Sequence, residues 1–221
     1  MKKEDAVNSI SQSAIKRLPF YLRYLKEKKK AGVKFISTPQ IALDLEKNAV
    51  QVKKDISHAT KKSGKPKVGH SVDDLIQDIE NFLGCNQTTN AVLVGAGHLG
   101  TALLSYKGFN DYGLKIIHAF DINETIVGKK INNVPIHSIK DLGMYCRKEQ
   151  VFIGIIAVNE ASAQEICDEL VKSGIKAIWN FSPILLKVPE DVIIQSENMA
   201  SGLAYLSRRL SEMLEKEQKL V

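Results

Sequence analysis

The sequence predicts an α/β protein with an N-terminal winged helix-turn-helix domain and a C-terminal doubly wound Rossmann parallel sheet. The first third of the chain has apolar residues at helical spacing, whereas residues 90–197 alternate short apolar runs with helical segments. At the start of the second pattern, the stretch AVLVGAGHLG at residues 91–100 joins an apolar run to a glycine-rich turn. An amphipathic segment over residues 198–220 predicts one last helix.

Residues 1–84 predict four helices, with a basic loop before the fourth. Ser11 or Ser13 is expected to cap a helix that runs to about Ala31, and Pro19 inside it allows a kink or a later start. The other three are expected over about 38–45, 49–62 and 72–83. Residues 63–70 contain two glycines and a proline among lysines, which is typical of a hairpin or loop.

The third of these helices has one apolar and one polar face. The apolar face is Ala49, Val52, Ile56 and Ala59. The polar face and the basic loop after it carry groups suited to base edges and phosphates, which are Gln51, Lys54, Ser57, His58, Lys61, Lys65 and Lys67. We therefore expect a recognition helix and a wing that bind double-stranded DNA. A small oligomerisation or lid domain with a solvated basic face is the alternative.

The excess of positive over negative charge lies entirely in this first segment. Residues 1–84 hold 17 Lys and Arg against 10 Asp and Glu, whereas residues 85–221 hold 14 against 15. Such an asymmetry predicts a polyanionic partner for the first segment only.

Residues 90–197 predict a parallel sheet that is covered on both faces, because most of its strands are continuous apolar runs. The expected strands are Ala91–Val94, Lys115–Phe120, Val134–His137, Val151–Val158, Ala177–Asn180 and Val192–Gln195. The helices between them include Leu99–Tyr106 and Ser162–Ser173. The predicted domains are therefore residues 1–84, 85–197 and a dimerisation helix over 198–221.

The glycine-rich turn predicts a dinucleotide site. Gly95 permits a tight turn, Gly97 lets backbone approach a pyrophosphate, and Gly100 lets the next helix lie close to the strand. Asp121 ends the second strand, where a carboxylate can accept both ribose hydroxyls and repel a 2′-phosphate. NAD(H) is therefore favoured over NADP(H), with the loop residues Gly95, Ala96, Gly97, His98, Leu99 and Gly100 at the pyrophosphate. A strand–helix turn without a ligand is the alternative.

The last helix has an apolar stripe and a charged opposite face. The stripe is Met199, Leu203, Leu206, Leu210, Met213 and Leu214. It could pack on its own sheet or on a second subunit. A homodimer is favoured, because a winged helix that reads an operator usually works in two copies.

The sequence offers no recognisable catalytic arrangement. His98, His118 and His137 stand in no His–carboxylate or Ser–Lys pattern. The three cysteines are widely spaced, so no metal site is expected and a reducing cytoplasm is favoured. No apolar run is long enough for a membrane span, and the first residues lack the core of a signal peptide. A sensor rather than an enzyme is expected; a small NAD-dependent oxidoreductase with an accessory helical domain and a Rossmann subunit for coenzyme A are the alternatives.

Several motifs together resemble the Rex family of bacterial redox-sensing transcriptional repressors, in the same order along nearly the whole chain. They are SAIKRLPFYLRYL (13–25), GAGHLGTALLSYKGF (95–109), AFDI (119–122), GKKINNVPIHSIKDL (128–142), IIAV (155–158) and NFSP (180–183).

The resemblance implies a cytoplasmic homodimer that binds a palindromic operator and is released from it by NADH. It also implies that the last helix is swapped and inserts beside the partner's nicotinamide site. The family pattern adds cofactor contacts at Ile122, Ala157, Val158, Asn180, Phe181 and Pro183, and a DNA contact at Lys53. The expected switch and dimer residues are Arg17, Tyr106, Asn198 and Met199.

Four features depart from the family pattern. Lys53-Lys54-Asp55 begins with Lys where Arg is usual, and the segment after Ser57 lacks the usual aromatic residues, so we expect a different operator preference. Asn198 stands where the family has Asp, and Asn159 where Pro is usual. An amide cannot make the charge-assisted bonds of a carboxylate, so weaker discrimination between NAD⁺ and NADH is expected.

Overall fold

The computed structural model describes residues 10–60, 64–65 and 68–218. The chain divides into two compact units. The N-terminal unit holds the described residues up to Thr88 together with Asn110–Gly113, and the C-terminal unit holds Thr89–Phe109 and the described residues from Leu114 onward.

The N-terminal unit is a helix-turn-helix with a small two-stranded sheet. Its elements are α1 (Gln12–Lys30), β1 (Phe35–Ile36), α2 (Thr38–Asp44), α3 (Ala49–Ala59), β2 (His70–Ser71) and α4 (Val72–Leu83). Strands β1 and β2 are antiparallel, with Phe35 opposite Ser71, and a bridge between Lys65 and Gly69 closes the turn before β2. This is the order of a winged helix-turn-helix, as the sequence predicts.

Local sequence signals fix where these helices begin and end. The Ser11 hydroxyl accepts a hydrogen bond from the Ala14 amide at 3.2 Å, and the Asn48 side chain accepts from the amides of Val50 and Gln51. Helix α1 begins at Gln12 and continues through Pro19, so the later start that Pro19 allowed does not occur.

Helix α3 begins at Ala49, as expected, but is shorter than expected and leaves one apolar residue exposed. It ends at Ala59, and Lys61–Ser63 lie outside the described residues. Val52, Ile56 and Ala59 are buried as expected, but Ala49 is exposed, because it is the first residue of the helix and lies beyond the core.

The C-terminal unit is a seven-stranded sheet with helices on both faces. Its elements are β3 (Thr89–Val94), α5 (His98–Ser105), β4 (Leu114–Asp121), β5 (Lys130–Ile131), β6 (Val134–Ser138), α6 (Leu142–Lys148), β7 (Ile153–Ile156), α7 (Glu160–Lys172), β8 (Ala177–Asn180), β9 (Ile193–Ser196) and α8 (Met199–Gln218). The strand order is β5-β6-β4-β3-β7-β8-β9, and only the β5–β6 pair is antiparallel. The expected strands are all present within two residues at each end.

The antiparallel edge strand β5 was not expected from the sequence. It is joined to β6 by Asn132 and Asn133, which both have positive φ (47° and 67°). Two such residues form the tight turn that a two-residue hairpin requires, and Asn tolerates this conformation better than most residues. The Asn-Asn pair was therefore the available signal for this hairpin.

Helix α8 does not bury its apolar stripe in this chain. Leu203 and Leu206 are 71% and 63% exposed, and Leu210, Met213 and Leu214 are also exposed. Packing of this stripe on its own sheet, the first of the two expected arrangements, is therefore not what the structure shows. Among the described residues, no helix is long and apolar enough to cross a membrane.

Candidate functional site

The three glycines of the turn between β3 and α5 have different roles. Gly95 has φ 98°, and a Cβ there would lie 2.5 Å from the Ala157 carbonyl oxygen. A Cβ on Gly100 would lie 1.8 Å from the Gly95 carbonyl oxygen, whereas one on Gly97 would meet nothing within 4 Å. The fold itself therefore requires Gly95 and Gly100, while Gly97 borders open space in which a ligand can approach the backbone.

A cavity of about 230 Å³ lies at this turn, at the carboxyl ends of β3, β4 and β7. Its lining comes from the glycine turn, from the ends of β3 and β4 and from the segments that follow β6 and β7. It consists of Val94, Gly95, Gly97, Asp121, Ile122, Ile139, Ala157, Val158, Asn159, Ser162 and Ile166. Parallel sheets bind ligands at this edge, where the chain crosses from one face to the other. Helix α5 begins at His98, so its amino end lies beside the glycine turn.

Asp121 is held against the glycine turn. One oxygen of its carboxylate accepts a hydrogen bond from the Ala96 amide at 2.7 Å, and the other accepts from the Asn123 amide at 2.8 Å. The carboxylate is thus fixed at the end of β4 with lone pairs remaining for a ligand. This is the position from which a carboxylate accepts ribose hydroxyls.

Of the further expected cofactor contacts, Ile122, Ala157 and Val158 line the cavity, while Phe181 and Pro183 do not belong to its lining. Asn180 is fully buried, and its amide nitrogen donates to the carbonyl oxygens of Ser182 and Ile184. Its amide oxygen accepts from the Ser182 amide at 2.9 Å. These hydrogen bonds shape the loop after β8, and a contact of Asn180 with the cofactor stays a prediction.

Asn159 has a local structural role at the cavity wall. Its side-chain oxygen accepts a hydrogen bond from the Ser162 amide at 3.1 Å, which caps helix α7. Asn is among the best residues at this position. The departure from the usual Pro therefore supplies a capping side chain at the edge of the cavity.

The predicted DNA-binding residues that the structure describes are mostly exposed. Gln51, Lys53, Lys54, Ser57 and Lys65 are exposed, and His58 is half-buried. Lys61 and Lys67 lie outside the described residues. The Ser57 hydroxyl donates to the Lys54 carbonyl oxygen at 2.8 Å, so a base contact from this hydroxyl would compete with the helix backbone.

The sequence reasoning missed the buried carboxylate on the same helix. Asp55 is 2% exposed and accepts hydrogen bonds from Arg17 Nε at 2.7 Å, Arg17 Nη2 at 2.8 Å and the Tyr21 hydroxyl at 2.9 Å. Arg17, expected as a switch residue, thus has a partner within its own unit. Helical spacing was the available signal, since Asp55 falls between Val52 and Ile56 on the inward side of α3.

The other expected switch residues lie in the C-terminal unit. Tyr106 follows α5, is 60% exposed and contacts the Phe109 ring edge-on at 4.9 Å. Asn198 precedes α8, and its side-chain oxygen accepts from the amides of Ala200 and Ser201, both at 3.1 Å. Met199 begins α8, but its side chain lies outside the part that the structure describes.

Two of the three histidines of the C-terminal unit contact each other. His118 Nδ1 lies 3.1 Å from His137 Nε2, and the Tyr145 ring packs against both imidazoles. Partial burial lowers the pKa of each imidazole, and their mutual repulsion lowers the pKa of His118 further. Neither belongs to the cavity lining. Within the described residues, no cluster of three or more His, Cys, Asp or Glu forms a candidate metal site.

The fold and the site together define a class of protein, in which a winged helix-turn-helix unit precedes a Rossmann unit with a glycine turn of the dinucleotide-binding type. Two family models match it: "CoA binding domain" over residues 86–184 and "Putative DNA-binding protein N-terminus" over residues 9–57.

Curated relatives match over most of their length. The redox-sensing transcriptional repressor Rex of Bacteroides thetaiotaomicron is 39% identical over 91% of this chain and 91% of its own. The Rex protein of Treponema denticola is 42% identical over 87% of this chain and 91% of its own. The chain therefore belongs to the Rex family of redox-sensing transcriptional repressors.

Solved structures of the same family are similar to this chain over nearly its whole length. The crystal structure of RSP in complex with beta-NAD⁺ and operator DNA is 36% identical, with a TM-score of 0.87, over 96% of this chain and 97% of that one. The structure of RSP, described as a Rex-family repressor, in complex with beta-NADH is 35% identical with a TM-score of 0.84, over 96% and 99%. The predicted fold class and family are thereby confirmed.

Proposed function

We propose that this protein is a transcriptional repressor that binds NAD(H) in its C-terminal unit and operator DNA through α3 and the wing, and that NADH releases it from DNA. The observation that carries this proposal is the Asp121 carboxylate, fixed by the Ala96 amide at the edge of the glycine-turn cavity. The similar RSP structures hold beta-NAD⁺ with operator DNA and beta-NADH, which supports the same ligands here.

The same carboxylate argues against coenzyme A, although residues 86–184 match a CoA-binding family model. The adenosine ribose of coenzyme A carries a 3′-phosphate, which a fixed carboxylate repels. Asp121 instead suits a ribose with both hydroxyls free, as in NAD(H).

An oxidoreductase function is the second candidate, and the site supports it poorly. Hydride transfer to a substrate needs an acid or base within reach of the reacting atom. The His118–His137 pair belongs to a packed aromatic cluster, and His98 is exposed and outside the cavity lining. We therefore infer that bound nucleotide acts as a signal, and that the protein is not an enzyme.

The unsatisfied stripe of α8 supports a homodimer in which this helix packs on a partner subunit. Leu203, Leu206 and Leu210 are exposed in the single chain, and burial of each such side chain contributes roughly 1.5–3 kcal/mol. We assign residues 1–84 to DNA binding, 85–197 to NAD(H) binding and 198–221 to dimerisation. A two-fold dimer would present two α3 helices to a palindromic operator in the cytoplasm.

Fluorescence anisotropy of a labelled operator tests this function. NADH and NAD⁺ are titrated separately into the protein–DNA complex, and NADH should release the DNA at a much lower concentration than NAD⁺. No DNA binding at low salt would exclude the repressor, and equal effects of both nucleotides would exclude redox sensing. Lys54→Ala should weaken binding and reduce the salt slope by about 1, whereas the matched Lys30→Ala on α1 should not.

Asn198→Asp tests the departure from the family pattern at the start of α8, where the family has Asp. Both residues cap a helix well, so the bonds to Ala200 and Ser201 should persist. A larger difference between NADH and NAD⁺ in the variant would assign the weakened discrimination to the missing charge. An unchanged difference would remove Asn198 from the switch.

A further inference from the structure

A buried hydrogen-bond network joins the wall of the nucleotide cavity to the start of α8. The Ser182 hydroxyl donates to the carbonyl oxygen of Val158, a cavity-lining residue, at 2.7 Å. The Ser182 amide donates to the fully buried Asn180 side chain, which in turn donates to the Ser196 hydroxyl at 3.3 Å. The Glu197 amide donates to the Asn180 carbonyl oxygen at 2.8 Å.

The Trp179 side chain also binds Glu197, just before α8. Its indole N–H donates to the Glu197 carboxylate at 3.0 Å, and the Gln195 amide approaches the same oxygen at 3.3 Å. Trp179 is part-buried, and it is the only tryptophan in the sequence. A hydrogen bond to a charged acceptor is among the stronger ones in proteins, so this contact fixes the Glu197 side chain on the sheet.

Aromatic rings join Trp179 to the C-terminal end of α5. The Trp179 ring lies 4.6 Å from Phe181 and 5.5 Å from Phe109, and Phe109 contacts Tyr106. Tyr106 directly follows α5, the helix that begins at the glycine turn. The hydrogen bonds therefore connect the cavity wall to Glu197, and the packed rings connect Trp179 to the C-terminal end of α5.

Glu197 lies immediately before Asn198, the cap of α8. Because the apolar stripe of α8 is exposed within the chain, the direction of this helix depends on how residues 196–198 are held. A shift of the cavity wall at Val158 would reach this segment through the hydrogen bonds of Ser182 and Asn180.

We propose that Trp179 and Glu197 form a positioning pair, which holds the start of α8 in register with the wall of the nucleotide cavity and so carries nucleotide occupancy to the dimerisation helix. The proposal rests on the proposed nucleotide-dependent release from DNA. In this proposal the pair couples the nucleotide site to the DNA-binding surface. The coupling is measured as the ratio of the affinities for DNA with and without NADH.

The test compares the DNA dissociation constant with and without saturating NADH, in wild type, Glu197→Ala and Glu197→Gln. The ratio should fall about fivefold in Glu197→Ala, which corresponds to about 1 kcal/mol of coupling. It should return toward wild type in Glu197→Gln, whose amide oxygen still accepts from the indole. The matched control is Glu190→Ala, which removes an exposed carboxylate elsewhere in the same unit and should leave the ratio unchanged.

Each contrary outcome has a distinct meaning. A wild-type ratio in Glu197→Ala overturns the positioning pair, as does equal weakening of DNA binding with and without NADH, which a purely structural role would produce. A ratio near one in the wild type overturns the proposed function itself, and the pair with it.

Tryptophan emission gives a readout in the unaltered protein, should Glu197→Ala fail to fold. NAD⁺ does not absorb at the wavelengths where tryptophan emits, so a shift of the emission maximum at saturating NAD⁺ reports a change in the surroundings of Trp179. A shifted emission maximum supports the pair. An unchanged spectrum overturns it.

Discussion

The Arg17 guanidinium binds both carboxylate oxygens of Asp55, with Nε 2.7 Å from Oδ2 and Nη2 2.8 Å from Oδ1. This pair joins α1 to α3. Asp55 lies on the buried face of α3, whereas Lys53 and Lys54 lie on its exposed face. Burial alone would raise the pKa of Asp55, but the hydrogen bonds from Arg17 and Tyr21 outweigh it and lower that pKa. Burial and the bond to Asp55 raise the pKa of Tyr21 to about 12.

Asp55→Ala should destabilise the N-terminal unit by about 3 kcal/mol, because it leaves Arg17 partly buried without its counter-charge. Urea unfolding followed by circular dichroism measures this. Asp73→Ala, which breaks the exposed pair with Lys29, is the matched control and should cost less than about 1 kcal/mol. Equal losses in both variants would contradict a special role for the buried pair.

The same pair sets an acid limit on stability. Since the folded pKa of Asp55 is lowered, its contribution is complete above the unfolded value of about 4 and is lost as the pH falls through the folded pKa. The difference in stability between wild type and Asp55→Ala should therefore shrink below about pH 4.

Two glycine variants should separate folding from ligand binding. Gly97→Ala should fold normally, because its Cβ meets nothing within 4 Å, yet lose roughly tenfold or more in NADH affinity by blocking the pyrophosphate. Gly100→Ala should lower the melting temperature, because its Cβ would lie 1.8 Å from the Gly95 carbonyl oxygen. Thermal unfolding measures the melting temperature of each variant, and NADH fluorescence measures its affinity for NADH. A Gly97→Ala melting temperature as low as that of Gly100→Ala would rule out this division.

Asp121→Asn should relax discrimination against NADPH by roughly tenfold, since it removes the negative charge facing the ribose. The amide oxygen can still accept from the Ala96 amide, so the glycine turn should keep its shape. Titrations with NADH and NADPH measure the two affinities, with Asp141→Asn as an exposed control in the same unit. An unchanged preference would mean that Asp121 does not face the ribose.

The histidine pair predicts sensitivity to mild acid. Both imidazoles have folded pKa values below the ordinary one of about 6.5, so the unfolded chain takes up protons first as the pH falls. Stability should be complete above about pH 6.5 and decline below it. Replacing both His118 and His137 with Phe keeps the ring packing and should flatten this decline between pH 7.5 and 5.5, whereas His98→Phe should not. A decline of the same steepness in the double variant would contradict this origin.

Leu206→Glu should dissociate the proposed dimer, because it puts a charge in the apolar stripe of α8. Arg208→Glu puts the same residue on the charged side and should leave the dimer intact. Sedimentation at micromolar concentration measures both. A monomeric wild type would exclude the dimer, and a dimeric Leu206→Glu would exclude this stripe as its interface.

The sequence by itself predicted the two-part architecture and the family, and both are confirmed. These features depend on local signals. Apolar period distinguishes helix from strand, glycine spacing marks the turn, and a cap such as Asn48 fixes a helix end. The missed elements, such as the short edge strand at Lys130–Ile131, are brief segments whose signal is confined to the turn beside them.

Only the tertiary structure decided which side chains meet across distant segments. It paired Arg17 with Asp55, 38 residues away, and His118 with His137, and it placed the Asn180 side chain in a buried hydrogen-bond network. It also left the apolar stripe of α8 exposed within the chain. A periodic pattern fixes which face of an element is apolar, but the partner of that face, and of any buried polar group, is set by how the elements pack.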